Sequence, residues 1–245
     1  KQNRIVNTTI LIQEKTTTVI PVSCVEQGRW AHSSPRFDSE DRLMAAQLRA
    51  MKSEQIHRSI RTSDDYYSDQ AAIWREISRK ARRMRAESPT MAMSEMYQKK
   101  RVALDGYINH FRLVEMQVGA VFMINGKVVG LDCFGKPETF SKVFRKLMES
   151  YALDAIDWQK QERTGKALKS EVTKFLWAAS SASMESRPSV GLGIDYRLES
   201  YNLTGFALAH EEQVLHFSVF ARRNGHREER YSSRMQRYSR RRRRR

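Results

Sequence analysis

Two apolar runs rich in Val, Ile and Thr open the chain, over residues 7–12 and 17–25, and a short polar link joins them. Because β-branched side chains crowd a helix but fit a pleated sheet, we expect two paired strands. If these strands form an antiparallel hairpin, the polar residues before the first and after the second lie at the same edge of the sheet. This set, termed the N-terminal rim, comprises Gln2, Asn3, Arg4, Glu26, Gln27, Arg29 and Trp30, with Gly28 among them.

Five further stretches place apolar residues every three or four positions, which is the period of an amphipathic helix. They cover residues 42–60, 70–85, 91–111, 137–153 and 166–182. Ser39 precedes the first stretch, and Ser68 and Asp69 precede the second, so these polar side chains are candidate N-caps.

Asn125-Gly126 is the clearest local signal in the chain. The pair separates apolar runs over residues 118–124 and 127–133, and it accepts the positive φ angles of a type I′ turn, which predicts a β-hairpin. The pattern also predicts a strand at 190–198, a second hairpin over 204–210 and 214–220, and a linker at 183–188. Because the strands do not alternate with single crossover helices, we predict an α+β fold, with antiparallel hairpins forming a sheet packed against amphipathic helices.

The C-terminal end carries most of the positive charge of the chain. The formal net charge is +16, and the last 25 residues contribute +10 of it, from twelve arginines and two glutamates. Because like charges repel, we predict a single α+β domain at 1–221, with a helical insertion at about 41–111, followed by a disordered arginine-rich tail at 222–245. Such a tail attracts RNA or DNA without sequence preference through counterion release. Its densest part is Arg240, Arg241, Arg242, Arg243, Arg244 and Arg245.

Other features narrow the class of protein. No apolar run approaches the ~20 residues of a membrane helix. Cys24 and Cys133 both lie in apolar runs, which favours reduced, buried thiols in the cytoplasm over a disulfide pair. The six histidines lack metal-ligand spacing, and Gly191-x-Gly193 lacks the third glycine of a dinucleotide-binding loop. We therefore predict neither a metal nor a cofactor, and the pattern leaves the oligomeric state open.

The N-terminal rim has the chemistry of a site for an anionic, ring-bearing ligand. Arginine side chains match phosphate, amides can contact a base or ribose, and the Trp30 indole can stack on a ring. Glu26 is one candidate general base, and Asp132, near the end of an apolar strand, is another. The alternative is a structural sheet edge with Arg–Glu pairing and a packed Trp. No sequence motif indicates a particular reaction, so the pattern leaves open whether the chain is an enzyme.

Several segments resemble, in order, the family called the ADP-ribosylglycohydrolase- and rhodanese-phosphatase-superfamily-associated protein domain. The most specific are KQNRIVNTTILI and VIPVSCVEQGRW. The others are Ser68-Asp69-Gln70 before a Trp-bearing helix, QVGAVFMINGKVVGLDCF followed by PETF, SYALDA, and GFALAH. The resemblance covers most of residues 1–220. The family typically has a strand-rich segment ahead of the QNR run, which implies that this chain is a fragment, and the arginine end is longer than usual.

The resemblance implies a link to the processing of ADP-ribose and NAD derivatives, because the family is named from its genomic association with such pathways. It transfers no catalytic residue. We therefore expect a soluble domain that binds or processes an ADP-ribose-like nucleotide at the N-terminal rim. The alternative is a non-enzymatic interaction protein that docks on RNA or DNA through its basic tail.

Overall fold

The computed structural model describes residues 3–28, 40–159 and 165–222. The predicted cap at Ser39, the rim residues Gln2, Arg29 and Trp30, and residues 223–245 of the predicted tail lie outside these ranges.

The described residues form six helices and eight strands, and the strands pair antiparallel in two sheets, so the predicted α+β class is confirmed. The elements in chain order are β1 (Arg4–Val6), β2 (Val22–Cys24), α1 (Ala46–Ser63), α2 (Gln70–Arg83), α3 (Met93–Lys99), α4 (Arg101–Ile108), β3 (Gly119–Ile124), β4 (Lys127–Phe134), α5 (Pro137–Trp158), α6 (Lys169–Ser180), β5 (Ser183–Pro188), β6 (Ile194–Glu199), β7 (Leu203–His210) and β8 (Gln213–Ala221).

The larger sheet has the strand order β3-β4-β8-β7-β6-β5, and β1 and β2 form the smaller one. Both predicted hairpins of the larger sheet are confirmed. Asn125 and Gly126 adopt φ angles of 52° and 80°, as the turn requires. Glu211 and Glu212 turn between β7 and β8 with φ angles of 47° and 62°, which explains why this turn had the weaker sequence signal.

The helices cover the two faces of the larger sheet unequally. On one face, Leu48 of α1 and Phe140 of α5 are fully buried in the main core. On the other face, α6 forms a smaller core in which its Phe175 packs with Leu203 and Val219 of the sheet. Because successive side chains along a strand point to opposite faces of the sheet, they pack alternately against α1 and α5 on one face and α6 on the other.

Three predictions about elements were wrong. The helix predicted at 91–111 is two helices, because Lys100 leaves helical geometry with a φ of −104°. The linker predicted at Ser183–Pro188 is β5, which pairs with β6 alone. As an exposed edge strand it carries polar residues and ends in Pro188, so it lacks an apolar strand pattern.

The third difference concerns residues 7–11, which form a strap rather than the predicted strand. Paired strand structure lies at Arg4–Val6 instead. The strap then crosses to the larger sheet, where Thr8 accepts a 2.7 Å hydrogen bond from Arg197 and Leu11 bridges Leu192. The β-branched residues of the strap predicted an extended backbone. They did not predict that this segment would leave the first hairpin and contact the larger sheet.

Across the described helices, none combines the length and apolar character that spanning a membrane requires.

Candidate functional site

The first hairpin brings the two halves of the N-terminal rim together. β1 and β2 pair antiparallel with Arg4 opposite Cys24. Beyond that pair, the Val25 N–H donates to the Asn3 carbonyl at 2.9 Å, and the Asn3 N–H donates to Glu26 Oε2 at 3.1 Å. The expected approach of the two polar segments is thus confirmed for Asn3 and Glu26.

The turn after β2 is packed closely against the start of α3. Glu26 is fully buried and forms an isolated β-bridge with Ala92. The Gly28 N–H donates to the Thr90 carbonyl at 2.8 Å. A Cβ at position 28 would lie 3.0 Å from backbone atoms of Pro89 and Thr90, so a larger residue here would require this backbone to shift by a few tenths of an ångström.

The side chains of the described rim differ in their access to solvent. The Asn3 amide donates to Glu40 at 2.9 Å and to Ser94 at 3.3 Å, which fixes its orientation. Arg4 is exposed, and Gln27 is half-buried. Arg4 and Gln27 are therefore the described rim residues best able to contact a ligand, while Asn3 and Glu26 hold the hairpin end in shape.

Asp132 lies in β4 of the larger sheet, whereas Glu26 follows β2 of the smaller one. Asp132 is fully buried, and Arg49 of α1 donates hydrogen bonds to both of its carboxylate oxygens, at 2.8 and 3.0 Å. Tyr151 donates to it at 2.8 Å and Ser218 at 2.7 Å. These residues form a network that joins α1, α5 and two strands.

The electrostatics of this network decide what Asp132 can do. Burial alone would raise the pKa of Asp132, but Arg49 and the neighbouring His216 outweigh it and hold that pKa well below its usual range. Burial, together with the charge of Asp132, raises the pKa of Tyr151 well above its ordinary value. A carboxylate that stays ionised and accepts hydrogen bonds from three side chains is a poor proton acceptor. The geometry therefore favours a structural role for Asp132, in which it holds these three side chains in place, over the role of a general base.

His216 borders the same network. Its Nδ1 lies 2.6 Å from the Thr9 hydroxyl of the strap, and its Nε2 lies 3.7 Å from Asp132, beyond hydrogen-bonding distance. Its ring stacks on Phe134 at 4.4 Å. This environment gives His216 a packing role in the sheet and a polar contact to the strap.

Sequence reasoning did not find the partners of Asp132. Arg49 stands 83 residues away, and its α1 neighbours give it the pattern of an ordinary solvated helix face. The only signal was the position of Asp132 itself, a carboxylate within an apolar run, which calls for a buried cation partner.

The described residues contain no group of three or more His, Cys, Asp or Glu side chains placed to hold a metal ion. Cys24 and Cys133 are free and half-buried, and burial raises the pKa of the Cys133 thiol, which lowers its reactivity.

A family model described as the ARG and Rhodanese-Phosphatase-superfamily-associated Protein domain matches residues 1–220 of the chain. No curated protein matches the chain significantly. No solved structure does so either.

Proposed function

We propose that this chain, which belongs to the ARG and Rhodanese-Phosphatase-superfamily-associated Protein domain family, binds or processes a nucleotide derived from ADP-ribose or NAD. The family description names an association with ADP-ribosylglycohydrolase, and that association supports an ADP-ribose link in general terms. The proposed site is the N-terminal rim.

The observation that carries this proposal is the junction of Asn3 and Glu26 at the end of the first hairpin. It places the exposed Arg4 and the half-buried Gln27 on adjoining segments with a fixed backbone between them. A guanidinium and a primary amide are suited to a phosphate and to a ribose or base edge. Arg29 and Trp30 follow directly in the sequence and would supply a second cation and a stacking ring.

If the chain processes its ligand, we assign the role of general base to Glu26, the carboxylate that adjoins the residues proposed to hold the ligand. Because Glu26 is fully buried and supports the hairpin end in this structure, that role requires the hairpin end to open when the ligand binds. A Glu26→Gln variant keeps the acceptor for Asn3 and removes the base. It should bind ADP-ribose and fail to turn it over, whereas retained turnover would exclude Glu26 as the base.

Calorimetric titration with ADP-ribose tests the binding itself. We expect Arg4→Ala and Arg29→Ala each to weaken ADP-ribose by about tenfold or more, because each loses a charge-assisted hydrogen bond. Arg82→Ala is the matched control, since Arg82 lies in α2 with a side chain that is 68% exposed. Equal affinity of both rim variants and the parent would make the rim a structural edge.

A second candidate function rests on the +10 charge of the last 25 residues. Such a segment would dock the protein on RNA or DNA with an affinity that falls steeply with salt. Deleting residues 223–245 should abolish this binding. A deleted chain that still binds duplex or single-stranded nucleic acid tightly would contradict the role of the tail.

A further inference from the structure

The two edges of the larger sheet differ in how they are protected from further pairing. Within the described ranges, this sheet ends in β5 on one side and in β3 on the other. β5 is polar and ends in Pro188, and both features discourage another strand from adding to it. β3 has the sequence GAVFMI, which contains neither a charge nor a proline. It therefore lacks the features that keep an edge strand from pairing with another chain.

The backbone of β3 has hydrogen-bonding groups that point away from the sheet. Among the described residues, β3 pairs with β4 alone, and the Phe134 N–H donates to the Val118 carbonyl at 2.7 Å. Because bonding alternates along an antiparallel strand, this bond places the N–H and C=O groups of Gly119 and Val121 on the outer side. The Gln117 side chain donates to the Gly119 carbonyl at 2.9 Å. In the part of the chain that the structure describes, no hydrogen bond occupies the outward groups of Val121.

The loop that leads into β3 exposes a large apolar surface. Five large apolar side chains within residues 111–118 are between 39% and 72% exposed. Together they present the surface of about two and a half whole side chains, on the order of 450 Å². Exposed apolar surface of this extent marks a place of contact with another molecule. The five side chains are Phe111, Leu113, Val114, Met116 and Val118.

The β3 edge, which comprises this loop, β3 and the turn that follows over residues 109–126, is electrically neutral. It carries one arginine, Arg112, and one glutamate, Glu115, whereas 29% of the whole chain is charged and the formal net charge is +16. Two copies of so basic a chain repel each other over most of their surface, but two neutral edges do not. The β3 edge is therefore a face at which two copies can approach each other without that cost.

An antiparallel edge strand is complementary to a second copy of itself. A twofold axis at Val121 would place the two copies of this residue opposite each other, so that each outward N–H donates to the outward carbonyl of the other. Gly119 of each copy would then lie opposite Met123 of the other. Each exposed loop would approach the Asn125-Gly126 turn of the second copy and the backbone of residues 165–166, which lies against that turn. The larger sheet would continue across the axis.

We infer that the chain forms a twofold dimer in which β3 of one copy pairs antiparallel with β3 of the other. The exposed loop supplies about half of the roughly 800 Å² that each partner of a stable interface buries, and the paired strands add to it. A second copy matches the β3 edge in backbone direction, in its lack of net charge and in its apolar surface. The interface uses none of the rim residues, so it is independent of the ADP-ribose site proposed above.

Sedimentation velocity of the full chain at about 1–100 μM tests the pairing, in about 0.3 M salt to weaken binding of nucleic acid by the arginine-rich end. We expect the mass to rise to that of two chains and no further, because a twofold interface is closed. Val121→Glu and Val121→Lys should each weaken the dimer about tenfold or more, because like charges would face each other across the axis. An equal mixture of the two should dimerise again, because opposite charges then face each other. Tyr201→Lys is the control, since Tyr201 is 91% exposed between β6 and β7, away from the β3 edge.

Three results would overturn the inference. The first is a parent chain that stays monomeric over the whole range or that grows beyond two copies. The second is a dimer that both Val121 variants leave as strong as in the parent, which would place the interface elsewhere. The third is a mixture that stays monomeric although both variants melt like the parent. If a Val121 variant proves unfolded, Met116→Lys tests the same edge, because Met116 is 72% exposed and its replacement spares the fold. A dimer that Met116→Lys also leaves unchanged would overturn the inference.

Discussion

A buried lysine, Lys52 of α1, makes the stability of the fold depend on pH above neutrality. This α1 lysine is 5% exposed, and its ammonium donates at 2.7 Å to the carbonyl of Val6 in β1. Burial lowers its pKa from 10.5 to about 7. The native fold therefore resists the charged form of the side chain, while the unfolded chain carries it freely at neutral pH.

The size of the stability penalty follows from the shift in the pKa of Lys52. A lowering from 10.5 to about 7 corresponds to roughly 5 kcal/mol of lost stability once both states are protonated. Lys52→Met keeps the length of the side chain and removes that penalty, but it leaves the Val6 carbonyl unsatisfied at a cost of about 1–3 kcal/mol. We expect the variant to be more stable than the parent by about 2 kcal/mol near pH 7.

The pH dependence provides the sharper test. Because the folded pKa is lowered, the unfolded chain binds more protons between about pH 7 and 10.5, and the parent gains stability as the pH rises through that window. The advantage of Lys52→Met should therefore shrink with rising pH and reverse near the top of the window. Urea unfolding of both proteins at several pH values measures the difference, in which other titrating groups largely cancel.

Lys174→Met is the control for this comparison, since the Lys174 side chain is 73% exposed. It should change stability by less than about 0.5 kcal/mol at any pH. A Lys52→Met variant that is less stable than the parent near pH 7, by an amount independent of pH, would refute the reasoning.

Three further substitutions test the packing around the proposed sites. Asp132→Asn leaves Arg49 as a buried, unpaired charge and should cost about 3–5 kcal/mol in urea unfolding at neutral pH. Because the folded pKa of Asp132 is lowered, that difference should narrow only in acid, as the pH falls below about 4; full stability of the variant would contradict the network. Gly119→Ala should cost about 1–3 kcal/mol, because its Cβ would lie 2.6 Å from the Asp132 carbonyl oxygen, and an unchanged melt would exclude that close approach. Asp69→Ala removes the 2.9 Å cap on the Ala72 N–H and should lower the helix-dependent stability by about 1 kcal/mol, measured by thermal circular dichroism.

The sequence was most informative where a few adjacent residues decide the structure. Asn125-Gly126 specifies its turn through backbone preferences alone, and Asp69 caps α2 as one of the two candidates for that position. The meeting of Asn3 and Glu26 was also accessible, because an antiparallel hairpin necessarily joins the residues that flank it.

Long-range contacts were not accessible in the same way. Nothing local to Asp132 names Arg49 as its partner, and nothing in the strap residues Thr8 and Thr9 points to β6 and β8. The groove of about 410 Å³ beside the first hairpin combines Val19, Tyr67 and Val190, which come from three separate parts of the chain. Such sites depend on tertiary packing, which a single sequence does not encode in its local period.

The strap also has a consequence for the order in which the protein is assembled. Thr8 meets Arg197 across 189 residues of chain, and Thr9 meets His216 across 207. Closing loops of that length is slow, and a nascent chain cannot close them until β6 and β8 have been synthesised. The strap therefore leaves the ribosome roughly two hundred residues before its partners do, and during that interval its apolar side chains are a natural target for chaperones.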